Sequence, residues 1–301
     1  METGVSDYYV KDSSLSGLGY AGRIVENAAI TAVSPVQGFD KVYTQVHFGA
    51  LQSFSKLAWV FGIKKRNLER VVNELRNACA DLRERRCADR LDNSFSTSYS
   101  ADDVSGNYTV TVTGGDSLAF ISAVHTREDG GATWGNRVTD GTTVNMDAEY
   151  DALKAAHRTA ALVVGPQGKP MNVSLDTVVV SRGYSPDNIF SEILGALNRG
   201  YIPRSADRDA SFLNPVSGSV PMYKIVRLPW ILTNTSFWWA FDSSMKNEKY
   251  GLQFKEAQPI KLEGPNVVFR TDEIQYKATT VFDLGHNDSR GWVGSKNTNA
   301  T

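Results

Sequence analysis

Cysteine is nearly missing from this chain, which has two among 301 residues, at positions 79 and 87. Both fall in one stretch that reads as a helix, where their separation spans about 12 Å of axis, too far for them to bond each other. That usage fits a reducing compartment and excludes a disulfide-stapled scaffold. Long apolar runs are missing too. The longest, Leu57 to Ile63 even counting Gly62, falls far short of the roughly 18 residues of a membrane span, so no transmembrane helix is expected. Met1-Glu2-Thr3-Gly4-Val5-Ser6-Asp7 carries no basic patch with an apolar segment behind it, so no secretory signal is read and cytosolic synthesis is expected. Neither charge dominates: 32 Lys and Arg stand against 33 Asp and Glu, a net charge of -1. The chain as a whole is not a polycation built to neutralise phosphate, and any nucleic-acid contact must be local.

What is present describes a folding chain. Apolar residues make up 41% and aromatics 10%, enough for one large domain or two ordinary ones. Residues 1 to 35 lack periodicity and carry Gly4, Gly17, Gly19 and Gly22 among serines, which reads as an extended arm. Val42, Thr44, Val46 and Phe48 then alternate with Tyr43, Gln45 and His47, the period of a half-buried strand. After Gly49-Ala50, Ser53 to Phe61 returns with Phe54, Leu57, Trp59 and Phe61, suggesting a long two-stranded excursion that leans on something else. Lys64 to Asp92 is the clearest helix, with Leu68, Val71, Val72, Leu75, Cys79 and Leu82 on one face and no Pro or Gly inside. Its other face holds nine Lys or Arg against six acids and reads first as a solvated face with intrahelical pairs, with subunit or nucleic-acid contact as the alternatives.

Further along, Tyr108 to Thr113 is a strand ending at Gly114-Gly115-Asp116, and Thr126 to Thr143, rich in Gly, Asp and Thr, reads as an exposed loop. Ala148 to Ala160 is a short helix and Thr177 to Val180 a buried strand. Ser185 caps and Pro186 opens a helix faced by Ile189, Phe190, Ile193, Leu194 and Leu197 and stopped at Gly200. Met222 to Leu228 is a strand, and Phe237 to Phe241 holds four aromatics in five residues that read as core. Strand and helix alternation suggests an α/β subdomain over about 146 to 255. Val267 to Arg270, the turn Thr271-Asp272-Glu273 and the alternating Ile274 to Asp283 close the chain with strands.

No chemistry-bearing motif stands out. Ser122, His125 and Asp129 have the residue types of a hydrolase triad, but they sit in or beside a Gly-rich loop, whereas triads gather side chains from distant segments onto a rigid scaffold. There is no Gly-x-Ser-x-Gly elbow. Histidines 47, 125, 157 and 286 and the two cysteines show no metal-ligand spacing. Gly165-Pro166-Gln167-Gly168-Lys169-Pro170 has the wrong glycine spacing and too much proline for a phosphate loop. Trp238 and Trp239 have faces that could stack bases, although a strand-borne aromatic cluster reads as core. No catalytic, cofactor-binding or metal residue is therefore assigned, and a structural or binding role is expected.

Taken in order, the arm, the long hairpin, the charged helix, the α/β insertion and the returning strands resemble the major capsid protein of tailed bacteriophages, the Hong Kong ninety-seven fold. Gly115-Asp116-Ser117-Leu118-Ala119-Phe120, Ser122-Ala123-Val124-His125 and Trp134-Gly135-Asn136 look like that family's loop segment, closest to its Mu-like head-subunit branch, where Ser-x-x-His is a landmark and not a catalytic pair. Leu175 to Val180 resembles its buried strand before an axial helix, and Trp230 to Phe241 its aromatic strand. Tyr276-Lys277-Ala278 to Phe282-Asp283, with Arg290-Gly291-Trp292, resembles its C-terminal strand and tail. The resemblance implies an α+β fold with an N-terminal arm at 1 to 35, an E-loop at 36 to 63, a peripheral domain of 64 to 113 and 256 to 301, an exposed loop at 114 to 145, and an axial domain at 146 to 255. It implies a shell protein, not an enzyme, needing no cofactor and touching no membrane. Its partners would be copies of itself in hexamers and pentamers, a portal protein, a separate scaffolding protein, a decoration protein where one is used, and packaged double-stranded DNA bound without sequence specificity. An encapsulin-like nanocompartment shell and a Ser/His hydrolase are the alternative readings. Lys41 and Lys56 are available for a covalent crosslink between subunits, which the sequence leaves open.

Overall fold

The computed structural model describes residues 2–3, 9–15, 18, 20–23, 29–30, 32–61, 65–102, 106–139, 150–182, 201–203, 211–213, 223–231, 237–245 and 250–296. The expected helix from Ser185 to Gly200 lies outside them. Along the chain run β1 (Glu2–Thr3), β2 (Tyr9–Leu15), β3 (Gln37–Thr44), β4 (Val46–Ser55), α1 (Lys56–Phe61), α2 (Lys65–Asp92), β5 (Ser98–Ala101) and β6 (Tyr108–Thr111). Then follow α3 (Tyr150–Ala161), β7 (Thr177–Ser181), β8 (Tyr201–Pro203), β9 (Ser211–Leu213), β10 (Lys224–Leu228), β11 (Trp238–Phe241), β12 (Gln253–Val268), β13 (Glu273–Gly285) and β14 (Trp292–Ser295). The mixture is the α+β class expected, divided into two compact units.

The first unit, 1–12, 42–90 and 253–285, is a sheet of order β1-β12-β13-β4 packed on α2. β4 pairs antiparallel with β13 over ten consecutive residues, Val46↔Phe282 to Ser55↔Glu273. This corrects the expected hairpin in two ways. The expected strands 42–48 and 53–61 do not pair with each other, since Gly49 and Ala50 lie inside the continuous β4, which pairs with β13 while β3 pairs with β2, and residues 56–61 are helical, because the Ser55 hydroxyl accepts the Ala58 N–H at 3.2 Å and caps a turn there. The aromatic spacing of Phe54, Trp59 and Phe61 imitates a strand. Trp59 instead folds back to within 6.3 Å of the Phe54 ring and 5.7 Å of the Tyr276 ring. Gln45 interrupts the strand pattern, and the parity of the buried face changes across it: Tyr43 is buried before it and Phe48 after it, while Val42 and Val46 are exposed.

Helix α2 fulfils its expected span to within one residue, with a buried stripe at Val72, Leu75 and Cys79 and Leu82 half-buried. Val71 is exposed. Glu69, Arg70, Glu74, Arg76, Asp81, Glu84 and Arg85 are exposed, as expected of a solvated face, but two charged residues turn inward beyond the stripe. Arg86 is buried at the next position of the stripe, 6.0 Å above the Phe48 ring and 3.3 Å from Asp89. Arg83 reaches across to Glu256 and Thr280 and lies 5.6 Å and 5.7 Å above the rings of Phe254 and Phe282. Only one of these contacts, Arg86 to Asp89, is intrahelical.

The second unit, 13–41, 91–252 and 286–301, centres on a sheet of order β10-β7-β11-β14. β10 runs parallel to β7, and β11 is antiparallel to both β7 and β14. All five residues of β7 are buried, as the β-branched run Thr177 to Val180 requires of a strand covered on both faces. Val178, Val180, Trp238 and Ala240 pack in one cluster with Ala152, Leu153, Ala156 and Ala160 of α3. The alternate residue Trp239 donates its indole N–H to the Ser94 hydroxyl at 2.9 Å. Both tryptophans are fully buried, so their rings are core and no base can reach them. Ser94→Ala leaves that indole N–H without its partner inside the protein and is expected to cost about 1–3 kcal/mol, read as a lowered denaturant midpoint at unchanged slope.

Candidate functional site

A buried polar cluster is built from the Gly-rich segment 114–139 and the C-terminal segment 286–290, both of the second unit. The loop expected to be exposed at 114–145 is described over 114–139, and there it is exposed at Ser117, Ala123, Val124, Thr126 and its tip 129–133, while the rest is buried or half-buried. Around that tip Phe120, Ile121, His125, Trp134, Asn136 and Val138 are all buried. The reason is a tight antiparallel turn. His125 and Trp134 exchange backbone hydrogen bonds of 2.5 Å and 3.1 Å, and their rings stack at 4.5 Å. Gly135 is required by this fold-back, since a Cβ there would lie 2.3 Å from the Ala123 carbonyl oxygen. The Trp134-Gly135-Asn136 wording thus has a steric cause.

Asn136 knits the segment together. Its side-chain oxygen accepts the Ser122 N–H at 2.8 Å, its side-chain nitrogen donates to the Phe120 carbonyl at 2.9 Å, and its backbone carbonyl accepts the Gly294 N–H at 3.0 Å. His125 places Nδ1 2.7 Å from Asp116 Oδ2, Nε2 3.1 Å from Asn136 Oδ1, and Nε2 3.3 Å from the Ser289 hydroxyl. The three residues singled out as triad types are not brought together. The Ser122 hydroxyl donates to the Val124 carbonyl at 2.9 Å and accepts the Val124 N–H at 3.2 Å, a local turn. Asp129 pairs with Arg127 and caps Gly131 N–H at 2.9 Å. The acid beside His125 is Asp116.

Arg290 anchors the other side. Its guanidinium, almost wholly buried, meets Glu128 through two parallel hydrogen bonds of 2.9 Å each, pairs with Asp288, and donates Nε–H to the Val164 carbonyl at 2.7 Å. It also lies 5.2 Å above the Trp134 ring. One side chain therefore ties together three segments, around 128, 164 and 288. Burial opposes the charge of Arg290, but the hydrogen bonds to Glu128 and the charges of Asp288 and Glu128 outweigh it and hold the guanidinium above its ordinary pKa. Burial pushes the Asp288 carboxyl up, against the pull of Arg290. At Asp116 burial also raises, but the His125 hydrogen bond and charge, with the Leu118 N–H, prevail and leave the carboxyl below its ordinary range.

Glu128, Asp288 and Ser289 were not singled out by sequence reasoning, and Asp116 and Asn136 entered only as wording of the resemblance, without a role. No local spacing signals them, because Glu128 and Arg290 stand 162 positions apart. The arrangement has the chemistry of a fastener: paired, desolvated charges that fix two segments. Asp116 gives it an acid limit. A carboxyl whose folded pKa is depressed contributes stability that is complete above its unfolded value, about 3.9, and is lost as pH falls through the folded value. Asp116→Asn is expected to lower the melting temperature near pH 7 and to shrink that deficit as the pH is taken below the carboxylate range. A deficit constant from pH 7 to pH 2 would remove this role from Asp116.

Lys41, weighed for crosslinking, donates to the Thr113 carbonyl at 2.7 Å, and Lys56 pairs with Asp272 at 3.0 Å on the surface. Lys169, in the segment compared with a phosphate loop, donates to the Leu18 carbonyl at 2.7 Å, and Gly165 N–H donates to the Lys169 carbonyl to close a turn.

No family model matches the chain. No curated protein matches it either. Solved structures do. The capsid of the cyanophage P-SCSP1u superposes with a TM-score of 0.54 at 12% identity, covering 99% of this chain and 86% of that one. The capsid of a native GTA particle gives 0.53 at 10% identity, covering 98% and 87%, and a structure from Mycobacterium phage Adephagia gives 0.52 at 12% identity, covering 99% and 88%. This chain therefore has the fold of those shells, the Hong Kong ninety-seven type, over nearly its whole length.

Proposed function

We propose that this chain is a major capsid protein of a tailed bacteriophage or a related particle, whose copies associate as hexamers and pentamers into an icosahedral shell around double-stranded DNA. The observation that carries the reading is the fold, shared end to end with the capsids of a cyanophage and of a GTA particle. The chain's own surface supports it. Leu57 and Val60 of α1 are 70% and 62% exposed, and Phe269, at the tip of the β12–β13 hairpin, is exposed in full, apolar surface of the kind that marks contact with other chains. The near-neutral charge suits a shell whose contacts are complementary and whose interior must not trap DNA.

In this reading residues 1 to 35 are the arm, 36 to 63 the E-loop, 64 to 113 with 256 to 285 the peripheral domain, and 146 to 255 the axial domain, to whose sheet the C-terminal segment adds β14. The cluster around Arg290 is the fastener that keeps the 114 to 139 segment in one shape while neighbours press on it, and no catalytic work is assigned to Ser122 or His125. A portal at one vertex, a scaffolding protein during assembly in the host cytoplasm and a decoration protein complete the partners. The wording Ser122-Ala123-Val124-His125 with Trp134-Gly135-Asn136 favours the Mu-like head-subunit branch.

The test is electron microscopy of the expressed chain, alone and with its scaffold, beside hydrogen exchange of residues 46–61. Closed shells with five- and six-fold clusters are expected, with exchange in that segment slowing on assembly. A chain that stays monomeric at every concentration, or exchange unchanged between subunit and particle, would overturn the reading.

A further inference from the structure

The two edges of the first unit's sheet are built differently. The β12 edge is blunted: Glu2–Thr3 covers Lys255–Glu256, its register is broken after Glu256, Gln258 and Glu263, and Pro259 and Pro265 lie within it. These are the devices by which a strand refuses another chain. β4, at the opposite edge, has none of them. It runs ten residues in unbroken register with β13, and Val46-His47-Phe48-Gly49-Ala50-Leu51-Gln52-Ser53-Phe54-Ser55 contains no proline, lysine, arginine, aspartate or glutamate. Among the described residues no strand pairs with its outer edge. The Ser53 carbonyl takes a bond from the neighbouring Gln52 amide at 3.1 Å. An uncharged, uninterrupted edge of this length is a template for strand addition.

We infer that the outer edge of β4 pairs antiparallel with β4 of a second copy of this chain about a twofold axis, with Leu51 facing its own counterpart. The inference deepens the shell reading by naming one contact between subunits. The sequence of the strand is what selects a second copy. In the register that sets Leu51 opposite Leu51, Phe48 stands opposite Phe54 twice, Ala50 opposite Gln52 and Gly49 opposite Ser53. The two aromatic pairs are the favourable kind of cross-strand neighbour, and no like charges can meet because the strand carries none. Leu51 is 59% exposed, and the pairing removes it from water.

Cysteine substitution reads the register. Residues directly opposite in an antiparallel pair have Cα atoms about 4.5–5.5 Å apart, within the span of a disulfide, so Leu51→Cys should give covalent dimers on mild oxidation. Ser53→Cys, whose counterpart would lie about 13 Å away along the strand, should give roughly tenfold fewer. The parent chain serves as blank for Cys79 and Cys87. Charge provides a second arm: Leu51→Glu alone and Leu51→Lys alone should each lower association, and mixing the two variants should restore it. Equal crosslinking at 51 and 53, no dimer from Leu51→Cys, or no rescue on mixing would overturn the pairing. The crosslink is scored in particles where the parent builds them and in concentrated subunits where it does not. Particles without the 51–51 dimer sink the pairing alone, and a dimer without particles sinks the shell reading alone.

Discussion

Arg290→Met is expected to destabilise the chain by about 3–5 kcal/mol, the largest effect of any single change at the polar cluster. The substitution keeps much of the side-chain volume but removes the charge on which Glu128 and Asp288 both depend, and Glu128 is buried almost as deeply as Arg290 itself. Two carboxylates would then face each other without a cation, and the Val164 carbonyl would lose its donor. The measurement is equilibrium unfolding of the soluble subunit, or particle yield where unfolding is irreversible. A control separates the charge from the packing: adding Glu128→Gln to Arg290→Met should recover part of the loss, because it removes one stranded charge. Arg290→Met within 1 kcal/mol of the parent would mean that Glu128 and Asp288 find water, and the fastener would be of no consequence.

Leu75→Asp should be equally damaging, by several kcal/mol, for a different reason. Leu75 sits in the middle of the buried stripe of α2, packed with Cys79 and Ala278, and a carboxylate there has no partner. Insoluble or protease-sensitive chains are expected, whereas the exposed neighbour Glu74→Ala should leave solubility and melting unchanged. Normal shells from Leu75→Asp would place the buried face of α2 elsewhere.

Helix α2 and the strands β7, β11 and β13 were legible because each carries its signal locally, in an apolar stripe, a β-branched run, an aromatic cluster or a strict alternation. The end of the α2 stripe was not, because at Arg83 and Arg86 a cation laid over aromatic rings replaces the expected aliphatic residue, and the rings come from β4, β12 and β13. A hydropathy pattern counts such an arginine as solvent-facing. The hairpin expected between 42–48 and 53–61 was misread for a similar reason: alternation reports that a strand has a buried face, and nothing in residues 46–55 says that its neighbour is 273–282. Most of the polar cluster was invisible, since glycine-rich wording suggests an exposed loop, and what buries this one is a histidine stacked on a tryptophan and an arginine from the far end of the chain.

The distance along the chain between Glu128 and Arg290 also sets a clock for synthesis. A ribosome adding about 5–20 residues per second needs about 8–32 s to travel from the one to the other. For most of that interval the 114–139 segment has been made without its cation, and β11, made later, waits a further 54 residues for β14, whose pairing runs from Trp238↔Ser295 to Phe241↔Trp292. The nascent chain therefore presents a sheet with an open edge, and Glu128 without its cation, to the translation machinery's chaperones. The second unit closes only when translation has passed Ser295, so a prematurely terminated chain remains a substrate for proteolysis instead of entering a particle.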